Sequence, residues 1–333
     1  VVAVIEQLLR LDRRGAELRP FCRAAGVQPR GYSRRLQRVL TDFGAEASFD
    51  GAATRVREHY GITVPVAAVR QHTLRHGKAI ATPTSGHPDQ PVAQLITQLD
   101  GSMIPVMQPS TGKDARQGRH LFWREVRLCS ARDPGTATPI YGATLGSAET
   151  AAWLWVQTAQ AAGLGSATRV HGVGDGAPWI VAKFEENFGA QGRYLVDFYH
   201  VSEYLAAVAL VIQPKNPQAW HRRQQGRLLE NNAAGVLRAL RPHREPEPVT
   251  DQPVRTAQDY LHARRDQMDY AGARRQGLPI GSGEIESGHR HVIQQRLKLA
   301  GGWWKEVHAQ AMLNLRVARA NQLWENYWPN AKN

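Results

Sequence analysis

Apolar and polar positions change period several times along the chain, and the changes divide it. From residue 1 to 77 apolar residues recur at helical spacing, which predicts a helical region. Residues 78–91 carry Pro83, Thr84, Ser85, Gly86, Pro88 and Pro91, which sustain neither a helix nor a strand ladder, and read as a linker. From residue 92 the period shortens toward two. Leu95 to Asp100 predicts a strand with a turn or bulge after Asp100, Phe122 to Cys129 alternates cleanly, and Ile140 to Leu145 gives a third strand. A helix from Ser147 to Ala162 follows. Arg169 to Gly174 is then a strand that ends in the acidic turn Gly174-Asp175-Gly176, with a helix through Glu186. A fifth strand, Tyr194 to His200, runs into a helix from Val201 to Val211.

Residues 92–213 thus predict an α/β domain with a mixed sheet flanked by helices. Residues 214–277 return to a polar helical pattern broken by Pro242, Pro246, Pro248 and Pro253, an insertion built from helix pairs. In residues 278–333 a long amphipathic helix is expected from Glu284 to Leu299 and another from Trp304 to about Trp324. The N-terminal region adds two helix-turn-helix candidates. In the first, a short helix precedes the small-residue turn Ala25-Gly26-Val27 and an Arg-rich second helix. In the second, Ala52 to Tyr60, the turn Gly61-Ile62, and Val66 to Arg75 repeat the layout, whose second helix enters the major groove. A plain helical bundle with Arg on its exposed faces fits the same pattern.

Charge narrows the choice of partner. Lys plus Arg number 42 against 29 Asp plus Glu among 333 residues, a formal charge of +13 that favours a polyanion. Only seven of the 42 are Lys, so most of the charge is guanidinium, which suits bidentate phosphate and guanine contacts. Two cysteines, Cys22 and Cys129, can build neither a disulfide framework nor a thiolate zinc site. No run of about 18 apolar residues suggests a membrane span, so a cytoplasmic protein is expected, nucleoid-associated when bound to DNA. The chain starts at Val1 without an initiator Met, and further residues upstream are expected.

Three carboxylates stand where chemistry could use them. Asp100 lies on the first strand of the α/β domain, Asp175 ends the fourth, and Glu286 sits on the helix after Gly281-Ser282-Gly283. Two hard divalent cations need several carboxylates from rigid elements, and such a pair can activate an attacking oxygen while stabilising the leaving one. Alone, Asp175 between two glycines reads equally well as a turn former. Glu284 and Glu286 fall on different faces of one helix, so only one of them points inward. His289 and His291 could contact phosphate or act near metal ions but read first as exposed helical histidines that do neither, and Trp303, Trp304, Trp324 and Trp328 read first as aromatics that dock C-terminal helices, with stacking on bases as the alternative.

Together, Leu99-Asp100-Gly101-Ser102-Met103, Phe122-Trp123-Arg124-Glu125-Val126, Gly174-Asp175-Gly176-Ala177-Pro178-Trp179, Asp197-Phe198-Tyr199-His200 and Gly281-Ser282-Gly283 with Glu286 and Gln295-Arg296-Leu297-Lys298 resemble bacterial insertion-sequence transposases of the Kra group over residues 92–325. These are DDE enzymes with an RNase H-like core and a mutator-like layout. The resemblance implies Asp100, Asp175 and Glu286 as the catalytic, metal-binding triad, favouring Glu286 over Glu284. It implies two Mg²⁺ ions, with Mn²⁺ able to substitute, and places Asp197, His200 and Glu284 in support. Arg30, Arg34, Arg35, Arg70, Arg75, Arg290, His291, Gln295, Arg296 and Lys298 are the expected DNA contacts. The implied activity is hydrolysis of a phosphodiester at element ends followed by strand transfer into target DNA, by a homodimer or larger assembly on double-stranded DNA. A nuclease or resolvase on the same core, and a non-catalytic DNA-binding regulator, are the alternatives.

Overall fold

The computed structural model describes residues 6–10, 17–24, 31–80, 90–108, 120–246 and 250–331. In chain order these residues form β1 (Leu9–Arg10), β2 (Glu17–Leu18), α1 (Pro20–Ala24), α2 (Arg34–Glu46), α3 (Phe49–Tyr60), α4 (Val66–Ala79), β3 (Gln94–Gln108), β4 (His120–Arg132), β5 (Ile140–Thr144), α5 (Ala148–Ala161), β6 (Arg169–Gly174), α6 (Pro178–Phe188), β7 (Gly192–Val196) and α7 (Phe198–Ile212). Then follow α8 (Pro217–Leu229), α9 (Ala233–Leu240), α10 (Pro253–Ala263), α11 (Tyr270–Arg275), α12 (Gly283–Gly288), a π-helical turn His289–Gln294, α13 (Gln295–Leu297), α14 (Glu306–Ala320) and α15 (Trp324–Tyr327). The chain divides into two compact units. One comprises Val1–Ala81, Pro105–Phe122 and Val292–Asn333; the other comprises Thr82–Ile104 and Trp123–His291.

The first unit is mainly helical. Ser33 and Ser48 cap α2 and α3, each side-chain oxygen accepting a backbone N–H in the first turn. The buried faces of α2, α3 and α4 close over Leu40, Ala52, Val56, Val64 and Val69. Thr73 helps tie α4 to α2 by donating to the Leu40 carbonyl at 3.3 Å. In the second expected helix-turn-helix unit, α3 ends at Gly61, which adopts φ +65°, and α4 begins at Val66. In the first, the turn Ala25-Gly26-Val27 lies outside the described residues, and the described Arg-rich helix runs from Arg34, behind Ser33. The antiparallel pair β1–β2 also departs from an all-helical N-terminal region.

The second unit is a mixed α/β body around a five-stranded sheet of order β5-β4-β3-β6-β7, flanked by helices. β3 and β6 run parallel, as do β6 and β7, whereas β4 and β5 are antiparallel. Leu95 to Leu99 on β3 is buried without interruption, as expected of a central strand covered on both faces. Trp155 of α5, Phe184 and Phe188 of α6, and Leu95 and Leu99 form one core cluster; α7 to α11 form a second with Leu195 and Val196. The expected insertion 214–277 is helical throughout its regular elements.

Four boundaries differ from the sequence expectation. β3 continues through Asp100 to Gln108 without a break. The fifth strand stops at Val196, because Asp197 caps α7 and starts the helix at Phe198. The expected helix from Glu284 to Leu299 is interrupted by the π turn, and the last long helix spans Glu306–Ala320 only. No described helix is long and apolar enough to cross a membrane.

Candidate functional site

The sheet register sets the geometry of the site. Gln94 pairs with Arg169 and Thr97 with Gly172, an offset of 75 residues that carries Asp100 to Asp175 when the same register is continued. Gly174 pairs with Val196, so the next step carries Asp175 to Asp197. On that register Asp100 on β3 is level with Asp175, one residue past the end of β6, and with Asp197, one residue past the end of β7. The continued register agrees with local contacts: a Cβ built on Gly174 would lie 3.7 Å from the Leu99 carbonyl, and the Asp197 N–H donates to the Gly174 carbonyl at 2.7 Å. Tyr194 senses both outer members of the first pair. Burial drives its phenol pKa upward, and the charges of Asp175 and Asp100 push the same way.

Each aspartate is held differently. Asp100 Oδ1 accepts the Gly101 N–H at 2.7 Å, and its side chain is 35% exposed. Asp175 Oδ1 accepts the Ala177 N–H at 2.8 Å, in a turn that Gly176 allows by adopting φ +73°. Asp197 is buried and fully engaged. Its Oδ1 accepts the Tyr199 N–H at 2.6 Å and the His200 N–H at 3.3 Å, and its Oδ2 accepts the N–H of Ser282 at 2.8 Å and the Ser282 hydroxyl.

That last contact seats α12 at the row. The Phe198 N–H donates to the Ile280 carbonyl at 2.9 Å, the Ile285 N–H donates to Gln98 Oε1 at 2.8 Å, and Ser282 Oγ lies 3.4 Å from Glu286 Oε1. Glu286 is exposed beside Asp197's partner. Glu284 turns the other way, pairing with Arg132 and accepting the Ser130 hydroxyl at 3.0 Å, with only 17% of its side chain exposed. His200 is half-buried, 3.7 Å from Glu203, and packs edge-on against Tyr204 and Tyr260.

Residues to which the sequence reading assigned no role also meet the row. His289, expected to be exposed, is buried, and its Nε2 stands 3.2 Å from Asp100 Oδ2. The helical insertion contributes Tyr260, whose hydroxyl donates to the Asp175 carbonyl, and Arg264, whose Nε donates to the Gly176 carbonyl at 2.9 Å. The Arg264 guanidinium stacks 4.0 Å from the centre of the Tyr260 ring. Burial raises the Tyr260 phenol pKa despite the opposing pull of Arg264. No short motif marks either residue; only their closeness in the fold does. Among the described residues no three His, Cys, Asp or Glu side chains are already gathered as a cage for an ion.

Residues 162–327 match the model of an uncharacterised protein family, UPF0236. This match covers α6 to α15 and includes Asp175, Asp197 and Glu286. No curated protein matches the chain. Among solved structures, the chain is similar to the Drosophila P element transposase strand transfer complex, with a TM-score of 0.34 and 10% identity over 92% of this chain and 83% of that one.

The expected DNA contacts separate by exposure. Arg34, Arg35, Arg70, Arg75, Arg290, His291 and Gln295 are exposed, and Lys298 is half-buried. Arg30 lies outside the described residues. Arg296 is a correction. It is buried, donates to the Gly44 carbonyl at 2.9 Å, and lies 4.8 and 4.9 Å from the ring centres of Phe49 and Trp304, so its guanidinium packs the first unit and presents nothing to a phosphate. Burial accordingly lowers its pKa to about 10.

Proposed function

We propose that the chain is a DNA transposase of the DDE type with an RNase H-like core, in which Asp100, Asp175 and Glu286 hold divalent cations at the edge of the β3–β6 pair. The observation that carries this reading is the continued register that sets Asp175 beside Asp100. The chain leaves β3 toward β4 and β5, then crosses to β6 and β7 on the other side. Open α/β sheets bind their ligands at such a switch point. The strand order β5-β4-β3-β6-β7 supports the RNase H-like assignment, in which α12, tied to β3 through the Ile285 N–H and Gln98, would bring Glu286 to the same edge.

The roles of the chain's own groups follow from their settings. Asp100 and Asp175 are partly exposed, each with one oxygen engaged by a neighbouring N–H, and would offer the other to a cation. Asp197 positions the Ser282 loop and thereby the helix that carries Glu286. Arg264 would add positive charge where a phosphate approaches Asp175. When bound, divalent cations would stabilise charge on the phosphate and activate the attacking oxygen. The exposed Arg70, Gln71, Arg75 and Lys78 face of α4, second in a helix-turn-helix layout, would bind DNA in the first unit, with affinity that falls steeply as salt rises.

Purified protein with Mn²⁺ or Mg²⁺ and DNA taken from either side of its own gene tests the proposal. Cleavage and joining of pre-cut ends to a target plasmid are expected, with Asp175→Asn reducing both by about 10²-fold or more. Cleavage without joining would favour a nuclease. DNA binding with no cleavage, unchanged by Asp175→Asn, would mean a non-catalytic binder.

A further inference from the structure

Three histidines are buried among the described residues: His76, His171 and His289. His76 has Nδ1 2.8 Å from the Tyr327 hydroxyl and Nε2 3.1 Å from Gln37 Oε1. His171 Nε2 is 2.8 Å from the Pro279 carbonyl. His289 is only 4% exposed, yet both of its ring nitrogens lack a hydrogen-bond partner. Its Nε2 comes within 3.2 Å of Asp100 Oδ2 without the alignment of a hydrogen bond. Buried polar atoms are almost always paired, and an unpaired one calls for a ligand or a functional cause. The residue also opens the π turn His289–Gln294, and single π turns inside α-helices recur at functional sites.

We infer that His289 Nε2 is a nitrogen ligand that joins Asp100 in holding a divalent cation, making this a mixed nitrogen–oxygen site that favours Mn²⁺ over Mg²⁺. The inference rests on the ion-holding role proposed above for Asp100. An aligned imidazole–carboxylate hydrogen bond would have satisfied both groups without an ion; instead Nε2 and Oδ2 stand 3.2 Å apart, within ion-pair range but without hydrogen-bond alignment. Mg²⁺ takes oxygen ligands and keeps its waters, whereas imidazole nitrogen suits transition-metal ions. His289 would therefore discriminate between two ions that the carboxylates alone would treat alike.

Pulsed electron paramagnetic resonance on the full chain loaded with Mn²⁺ tests this directly. The expected result is a ¹⁴N hyperfine coupling in the wild type that changes to the ¹⁵N pattern on labelling with ¹⁵N-histidine, vanishes in His289→Gln and persists in His200→Gln. Mn²⁺ affinity should fall at least about tenfold in His289→Gln, with Mg²⁺ affinity little changed. His289→Asn provides a second replacement, and circular dichroism establishes that each variant folds. Bound Mn²⁺ that is lost in Asp175→Asn but shows no histidine coupling, or coupling that survives in both His289 variants, overturns the inference and leaves the carboxylate site standing. Absence of any Mn²⁺ binding sensitive to Asp175→Asn overturns both. If neither variant folds, the wild-type spectrum decides: histidine coupling supports the inference and its absence refutes it.

Discussion

His76 in the first unit and His289 in the second are both nearly inaccessible, but both ring nitrogens of His76 have hydrogen-bond partners, whereas neither of His289 does, its Nε2 meeting Asp100 Oδ2 at 3.2 Å without hydrogen-bond alignment. His76 sits among α4, Gln37 of α2 and the aromatic pair Tyr327 and Trp328, where its ring serves packing. His289 sits against a carboxylate that follows another across the sheet. Burial alone therefore says little about role; what distinguishes a packing histidine from a ligand is whether its polar atoms are already satisfied. The same contrast separates Glu284, closed in an ion pair with Arg132, from Glu286, exposed beside Ser282.

Substitutions should sharpen that contrast in order of size. Glu284→Gln leaves Arg132 without its carboxylate in a largely buried setting, and urea denaturation should show a loss of about 2–3 kcal/mol, with Mn²⁺ affinity unchanged. A large loss of ion binding in this variant would instead place Glu284 in the site. The pH dependence of His76 comes next. Burial, then Arg75 and His72, lower its pKa to about 4 from the ordinary 6.5. The unfolded chain therefore takes up the proton first, so stability present above about 6.5 is lost as pH falls toward 4. Replacing it as His76→Gln should flatten that part of the wild-type stability profile; an identical slope in both proteins would show that the ring is free to charge in the fold. Glu286→Gln should have the smallest effect on stability, within about 0.5 kcal/mol because the side chain is exposed, while abolishing ion-dependent cleavage.

Much of this was legible before any coordinates. The strand sequence around β3 to β7 and the helical insertion follow from apolar periodicity and turn residues, whereas the choice of Asp100, Asp175 and Glu286 came from the family resemblance. The separation of 75 residues between Asp100 and Asp175 was readable too, but its meaning was not, because only the β3–β6 register turns that interval into adjacency. His289 was misread for a related reason. On a regular amphipathic helix it falls among the polar residues Ser287, Arg290 and His291, and nothing local announces the π turn. Arg296 failed in the opposite direction. A cation in the Gln295-Arg296-Leu297-Lys298 run looks like a phosphate contact, and only the fold shows that Phe49, distant in sequence, and Trp304, eight residues on, enclose it. Tyr260 and Arg264 meet the Asp175 turn from an insertion whose composition carries no sign of chemistry.

The central claim is that Asp100 and Asp175 are neighbours that share a cation. Anomalous scattering from crystals soaked in Mn²⁺ measures this most directly. A manganese peak within bonding distance of oxygens from both aspartates is predicted, with His289 Nε2 on the same ion. A well-ordered site with no peak between them, or manganese bound only elsewhere on the chain, would contradict the account.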